Sequence, residues 1–423
     1  MKTKGYSKSG LIALCSFLYF TSYFARKDFA AVTAGMIQSE AIDKQVAGLI
    51  GTAMFVMYGI GQIISGYLGD RVKPKTLILV GLSTTAICNL IMPLIGEQTV
   101  MIPVWALNGL AQAMLWPPIV RILSRYLPHD LYVKASLLVT SAAHVATIVL
   151  YLYVPICLTL FSWKAVFISA ATLSAVMFVI FIVGLAICLP KNVENEASIS
   201  PANDKKVSPV PEIDKEKSFF ALLAQAGIIP IFGAIVSMGF LRDGIESWLP
   251  TLYAQAFGRA AEEATLISVA LPIFAIISIM LITGLHKKVF RNEVFGASVM
   301  FMIAIGLCIP LMILISVDST ICGVICLILA SLVCGAMHAC NFLFISCIPW
   351  RFARYGRAAG ASGFCNACTY VGAALSTYGI ALISDIIGWS GAIGAWMAMA
   401  VVGLLLCFLA LKRYTTFYKS SDN

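Results

Sequence analysis

The sequence predicts an all-α membrane protein: twelve transmembrane helices in two pseudo-symmetric halves of six. Composition is the first reason. Hydrophobic residues make up 60% of the chain and charged residues only 12%, whereas a soluble domain carries roughly 25% charge. Patterning is the second. The apolar residues gather into twelve runs of about 20 residues or more, each long enough to cross a hydrocarbon layer of ~30 Å. Runs of this kind exclude a transmembrane β-barrel, whose shorter segments alternate apolar and polar residues. The third is a single long polar stretch, residues 190–217, which divides the runs six and six.

Taken in order, the predicted spans of the first half are 10–36, 46–69, 75–96, 100–124, 135–160 and 164–189. Those of the second half are 226–254, 264–285, 294–316, 319–347, 359–384 and 389–411. The dipeptide Pro117-Pro118 removes two backbone donors inside the fourth span and predicts a kink there. Residues 190–217, rich in charge, proline and serine and without apolar clusters, predict a flexible linker. The domain division is therefore 1–189, a linker at 190–217, and 218–423.

Basic residues set the expected topology. The chain carries a net charge of +9, which could point to nucleic acid, but its distribution points to the membrane. Of 29 Lys and Arg, 23 fall in the tails, the linker and the even-numbered loops. Only Lys44, Lys164 and Arg259 fall in the opposite loops. The positive-inside rule then places both termini and the linker in the cytoplasm of a multi-pass inner or plasma membrane protein.

Arg26, Lys27 and Arg242 remain, and they lie within spans. A charge at the centre of a membrane helix costs about 2.5–3.5 kcal/mol on insertion scales, so such residues face a bundle interior or an aqueous cavity. Arg26 and Arg242 are 216 positions apart, one per half. A guanidinium is always charged and offers a planar fork of donors that matches phosphate or carboxylate oxygens. Two of them make a two-armed anion site at the midplane. Lys27 lies about 100° around the helix from Arg26. The competing structural reading pairs Arg242 with Glu246, four residues on along the same helix face. Tyr19 and Tyr23 share a face with Arg26 and read either as core or as pocket wall. His144 stands in SAAHVAT with no ionisable neighbour in sequence; His338 is read as structural.

Thirteen cysteines are scattered through apolar runs, where Cys behaves as a small hydrophobe. Cys365-x-x-Cys368 has no second pair nearby and is not read as a metal site. The chain contains neither a phosphate-binding GxxxxGK[ST] loop nor an HExxH pair, so no enzyme, cofactor or metal is expected. The first apolar run is long and carries Arg-Lys-Asp, unlike the core of a cleavable signal peptide.

The loop after the second span, GYLGDRVKPK at 66–75, resembles the G-x-L-x-D-R signature of the major facilitator superfamily. More particularly, the chain resembles the organophosphate:phosphate antiporter family. That resemblance rests on Tyr19, Tyr23 and Arg26-Lys27; Tyr58-Gly59; GLAQAMLWPPIVR at 109–121; His144; and Arg242-Asp243-Gly244 with Trp248, Pro250 and Thr251. AAGASGFCNACTYVG at 358–372 and DIIGW at 385–389 extend it. It implies a major facilitator fold of two parallel repeats. It implies that Arg26 and Arg242 clasp a phosphate, with Tyr19, Tyr23, Tyr58, Trp116, His144 and Tyr370 lining the pocket, and that Asp70 and Arg71 form a conformational latch. Two departures stand out. Gln62 replaces a lysine of the family's typical member, and Pro272 replaces a glutamate, so the pocket is expected to hold one cation fewer and to lack an ion pair.

The reading is a monomeric secondary transporter. Its substrate is a phosphorylated small organic anion, exchanged for inorganic phosphate by alternating access. Lipid and a small anionic substrate are its expected partners, with no nucleic acid. The alternatives are a proton-coupled transporter of another organic anion and a membrane-embedded sugar-phosphate sensor.

Overall fold

The computed structural model describes residues 7–69, 72–188, 227–286, 289–290, 292–317, 319–352 and 358–422. The Asp70–Arg71 pair and the 190–217 linker lie outside the described residues.

In hydrocarbon every backbone N–H and C=O must be bonded within its own segment, so the apolar runs become helices. The first half contains α1 (Lys8–Gln38), α2 (Lys44–Gly69), α3 (Pro74–Ile91), α4 (Met101–Ala113), α5 (Trp116–Tyr126), α6 (His129–Leu160) and α7 (Trp163–Cys188). The second contains α8 (Ile228–Ala256), α9 (Ala261–Ile267), α10 (Ala270–His286), α11 (Glu293–Leu314), α12 (Thr320–Asn341), α13 (Ile348–Arg351), α14 (Ala358–Ile386) and α15 (Gly388–Asp422). Among the described residues, eleven helical stretches are long and apolar enough to cross a membrane, and they coincide with the second to twelfth predicted spans. The remaining span is α1, 31 residues long, which Arg26, Lys27 and Asp28 make more polar than those eleven.

Local signals explain several ends and breaks. Ser7 caps α1 by accepting from Gly10 N at 3.1 Å, and Asn292 caps α11 by accepting from Val294 N and Phe295 N. Pro117 and Pro118 open α5 and separate it from α4, as the sequence predicts. Two further features follow. The eighth span is broken at Ser268–Val269 into α9 and α10, with Pro272 buried in the first turn of α10. A π-helical segment, Phe342–Cys347, continues α12 toward α13.

Many large apolar side chains are exposed, among them Ile187, Met280, Ile321 and Leu409. That surface suits lipid and would be a liability in water.

The principal helix pairings of the first half recur in the second. α1 packs on α6 and α7, as α8 packs on α14 and α15; α2 packs on α4 as α10 packs on α12; α3 packs on α7 as α11 packs on α15. The halves meet along α2 and α14, where small residues let the backbones approach. A Cβ built on Gly48 would lie 2.9 Å from Ala381 Cβ and 2.9 Å from Thr377 O.

Polar contacts close one end of this interface. Gln38 Nε2 donates to Arg259 O at 2.8 Å, and Ala261 N donates to Gln38 Oε1 at 2.9 Å. Lys44 pairs with Asp385 at 2.7 Å. Thr52 donates to Ala374 O at 2.7 Å and accepts from Tyr378 N at 3.2 Å. This is the end remote from Lys8, where the sequence places few basic residues.

Candidate substrate-binding site

Arg26 projects from the middle of α1 into the space between the halves. It is 8% exposed. Its guanidinium carbon lies 4.3 Å from the centroid of the Tyr23 ring and 4.8 Å from that of Tyr58. Cation–π contact of this kind is worth about 0.5–2 kcal/mol. Among the described residues no carboxylate pairs with Arg26, and its Nε has no hydrogen-bond partner. Asp28, two residues on and about 200° around the helix, faces elsewhere; its Oδ1 accepts from Phe29 N at 2.7 Å.

Aromatic side chains extend this wall. Tyr19 stacks edge-on against Tyr23 at 5.0 Å and lies 4.7 Å from Trp116. Tyr58 on α2 meets Tyr370 on α14, across the halves, at 4.5 Å. The tyrosine stripe of α1 packs into the first-half core at Tyr19, and Tyr23, packed against that core, meets Arg26. Gln62 turns toward its own half, donating to Ala113 O at 3.4 Å.

Arg242 on α8 faces the same space from the second half. Its Nη1 donates to Asn341 Oδ1 and its Nη2 to Asp243 Oδ2, each at 2.7 Å. Tyr23 and Tyr370 each lie within electrostatic reach of both Arg26 and Arg242. The two guanidiniums are not equivalent: Arg242 is held by an acidic neighbour and an amide, while Arg26 rests on rings.

The competing pairing does not form: Glu246 does not pair with Arg242. It reaches instead for Lys27 of the other half, through Oε2, and for His338 on α12, through Oε1 at 2.7 Å. The long Arg242 side chain is already satisfied on the Asp243–Asn341 side, which leaves the carboxylate free to cross the interface. The Lys27–Glu246 pair joins α1 to α8 across the halves and does not involve Pro272. His338, read as structural, lies at the boundary between the halves. Its ring lies edge-to-face with that of His144 at 5.8 Å, one histidine from each half. His144 Nδ1 donates to Thr140 O at 3.2 Å, which fixes the ring and turns Nε2 outward.

A signal for this cluster existed. Cys334, His338 and Asn341 are spaced four and three apart, a polar stripe on one face of an otherwise apolar helix. The partner Glu246 has no such signal, because Lys27 is 219 residues away. The Glu246, Cys334 and His338 donor atoms lie within 4.8 Å of one another, a spacing that invites a metal. Lys27 and His338 already hold both carboxylate oxygens, and the Cys334 thiol faces Arg242 O at 3.8 Å, so the cluster works as an ion-pair network.

A cavity of about 30 Å³ lies between this network and the closed end, bounded by Arg26, Lys27, Met54, Trp105, Trp248 and Thr377. It has room for about two waters.

A bundle of two matching halves built from membrane-capable helices, with cations gathered where the halves meet, is the architecture of a membrane carrier. Residues 12–367 match the sequence profile of the Major Facilitator Superfamily, and the chain belongs to it. Within it, the resemblance is to the organophosphate:phosphate antiporter family; it is a transport protein and not an enzyme. The glycerol-3-phosphate transporter of Bacillus subtilis is 25% identical over 405 residues, 93% of this chain and 89% of that one. A probable hexose phosphate transport protein of Chlamydia trachomatis serovar D is 32% identical over 108 residues, 26% of this chain and only 24% of that protein. The membrane sensor protein UhpC of Salmonella typhimurium is 27% identical over a segment covering 26% of this chain and 24% of that one. Among solved structures, the nucleoside transporter NupG superposes with a TM-score of 0.70 at 15% identity, over 96% of this chain and 99% of that one.

Proposed function

We propose that this protein carries a phosphorylated small organic anion across the membrane in exchange for inorganic phosphate, by alternating access. One observation carries the reading: Arg26 is a buried cation with rings around it and, among the described residues, no carboxylate against it. Such a charge is costly within a membrane protein unless something neutralises it, and a ligand anion would do so. Arg242 faces the site from the other half, held by Asn341 and Asp243, and a phosphoryl group between the two arginines would tie the halves together. Tyr23, Tyr58 and Tyr370 add hydroxyls that donate to phosphate oxygens, and His144 completes the first-half wall. The glycerol phosphate and hexose phosphate relatives support the choice of substrate class.

The test is counterflow in liposomes. Vesicles loaded with phosphate should accumulate labelled phosphate, and external glycerol phosphate or hexose phosphate should compete. The UhpC relative favours a second reading, a sensor. Binding of a phosphate ester without any flux would select it, and flux of carboxylates with none of phosphate would reject both.

A further inference from the structure

We propose that His338 is a proton-binding group that switches Lys27 between Glu246 and the bound anion, so that anion binding takes up a proton. The inference rests on the anion-site reading for its ligand, and on geometry of its own for the switch.

The geometry is a shared carboxylate. One oxygen of Glu246 is held by Lys27 from the first half, the other by His338 from its own half. A carboxylate only accepts, so the His338 Nε2 carries the hydrogen and Nδ1 is the position left for a proton. While His338 is neutral, Lys27 is the cation that neutralises Glu246, and the two halves are tied through this pair. Once His338 is protonated, Glu246 has a cationic partner within its own half. Lys27 is then free to turn toward the anion beside Arg26.

Charge balance asks for the same proton. Arg26, Lys27 and Arg242 face Asp243 and Glu246 in the site, which leaves one net positive charge with both histidines neutral. A phosphate monoester brings about 1.5–2 negative charges near pH 7. The occupied site would hold close to one uncompensated negative charge in a water-poor space, and one proton cancels it.

The groups around His338 are few. α8 presents Arg242, Asp243 and Glu246; α6 presents His144 and Tyr151; α1 presents Lys27; and Cys334 stands one turn before it on α12. Of the helices packed behind, α11 carries Cys308 and Glu293, the latter paired with Arg351, and α10 carries His286, bonded to Phe290 O. His144 is the other histidine that faces His338, so it is the control.

The purified full chain is studied in two ways. Calorimetry with inorganic phosphate, in buffers of different ionisation enthalpy at pH 8, counts protons taken up per anion. The phosphate's own contribution is the same in each variant, so differences belong to the protein. Wild type should exceed His338→Gln, which keeps a donor for Glu246 but accepts no proton, by about one proton per phosphate. Equal uptake in the two, or loss of uptake in His144→Gln instead, overturns the proposal. The second readout needs no anion. The chain has four histidines, and ¹⁵N-histidine spectra of the ligand-free protein identify the signal lost in His338→Gln. Lys27→Met should move the protonation of that signal to higher pH, because lysine and proton compete for one carboxylate. An unmoved signal overturns the switch. If wild type binds no phosphate yet this signal moves, the anion reading fails and the proton switch stands.

Discussion

Replacing Arg26 and Arg242 by methionine, one at a time, separates a charge that no carboxylate among the described residues holds from one that also holds the fold together. Methionine fills similar volume without charge, so packing changes little in either case. At Arg26 it removes a buried cation that no carboxylate holds. That cation is unfavourable by about 2.5–3.5 kcal/mol on insertion scales. Contact with the Tyr23 and Tyr58 rings offsets roughly 1–2 kcal/mol of it. The ligand-free protein should therefore be more stable as Arg26→Met, by about 1 kcal/mol, while phosphate no longer protects it. At Arg242 the same change strands Asp243, which is 3% exposed. Breaking a buried pair from one side costs about 3–5 kcal/mol, so Arg242→Met should be markedly less stable. Thermal unfolding of the purified variants, with and without phosphate, reads both effects. If Arg26→Met melts as low as Arg242→Met and still gains wild-type protection from phosphate, Arg26 is structural and the argument for an anion site falls.

Arg26→Lys keeps the charge but not the planar fork, and phosphate affinity by calorimetry should fall about 10- to 100-fold, as for loss of one charged hydrogen bond. Lys44→Met removes the Lys44–Asp385 pair at the closed end. Since both partners are partly exposed, the shift should be only about 0.5–1 kcal/mol toward opening, seen as two- to fivefold faster maleimide labelling of Thr377→Cys. Unchanged labelling would show that this pair does not hold the end shut. Gly48→Val places a branched side chain against Ala381 and Thr377, so exchange in liposomes should drop more than about tenfold while phosphate binding survives; normal exchange would mean that α2 and α14 need not close this tightly. Finally, a cysteine at Ser200 should be shielded from external reagent in intact cells and one at Glu262 should react, because the basic residues place them on opposite sides. The reverse pattern would invert the topology.

The amino-acid sequence by itself determined where the helices run. The limits of α2, α7 and α14 follow from uninterrupted apolar residues, and the α4–α5 break follows from Pro117-Pro118, because hydropathy and a missing backbone donor act locally. It also marked Arg26, Lys27 and Arg242 as out of place in such helices, since the penalty for a charge in hydrocarbon does not depend on its neighbours along the chain. Tertiary structure decided which partner each charge takes. Glu246 stands one turn from Arg242 and 219 residues from Lys27, yet it pairs with Lys27. The choice was made when α1 and α8 came together and Asn341 on α12 took one edge of the guanidinium. His338 likewise became part of the site only when α6 brought His144 against it. Burial is settled by the chain as a whole, and ion pairing in a space this dry follows distance between side chains, which sequence separation does not encode.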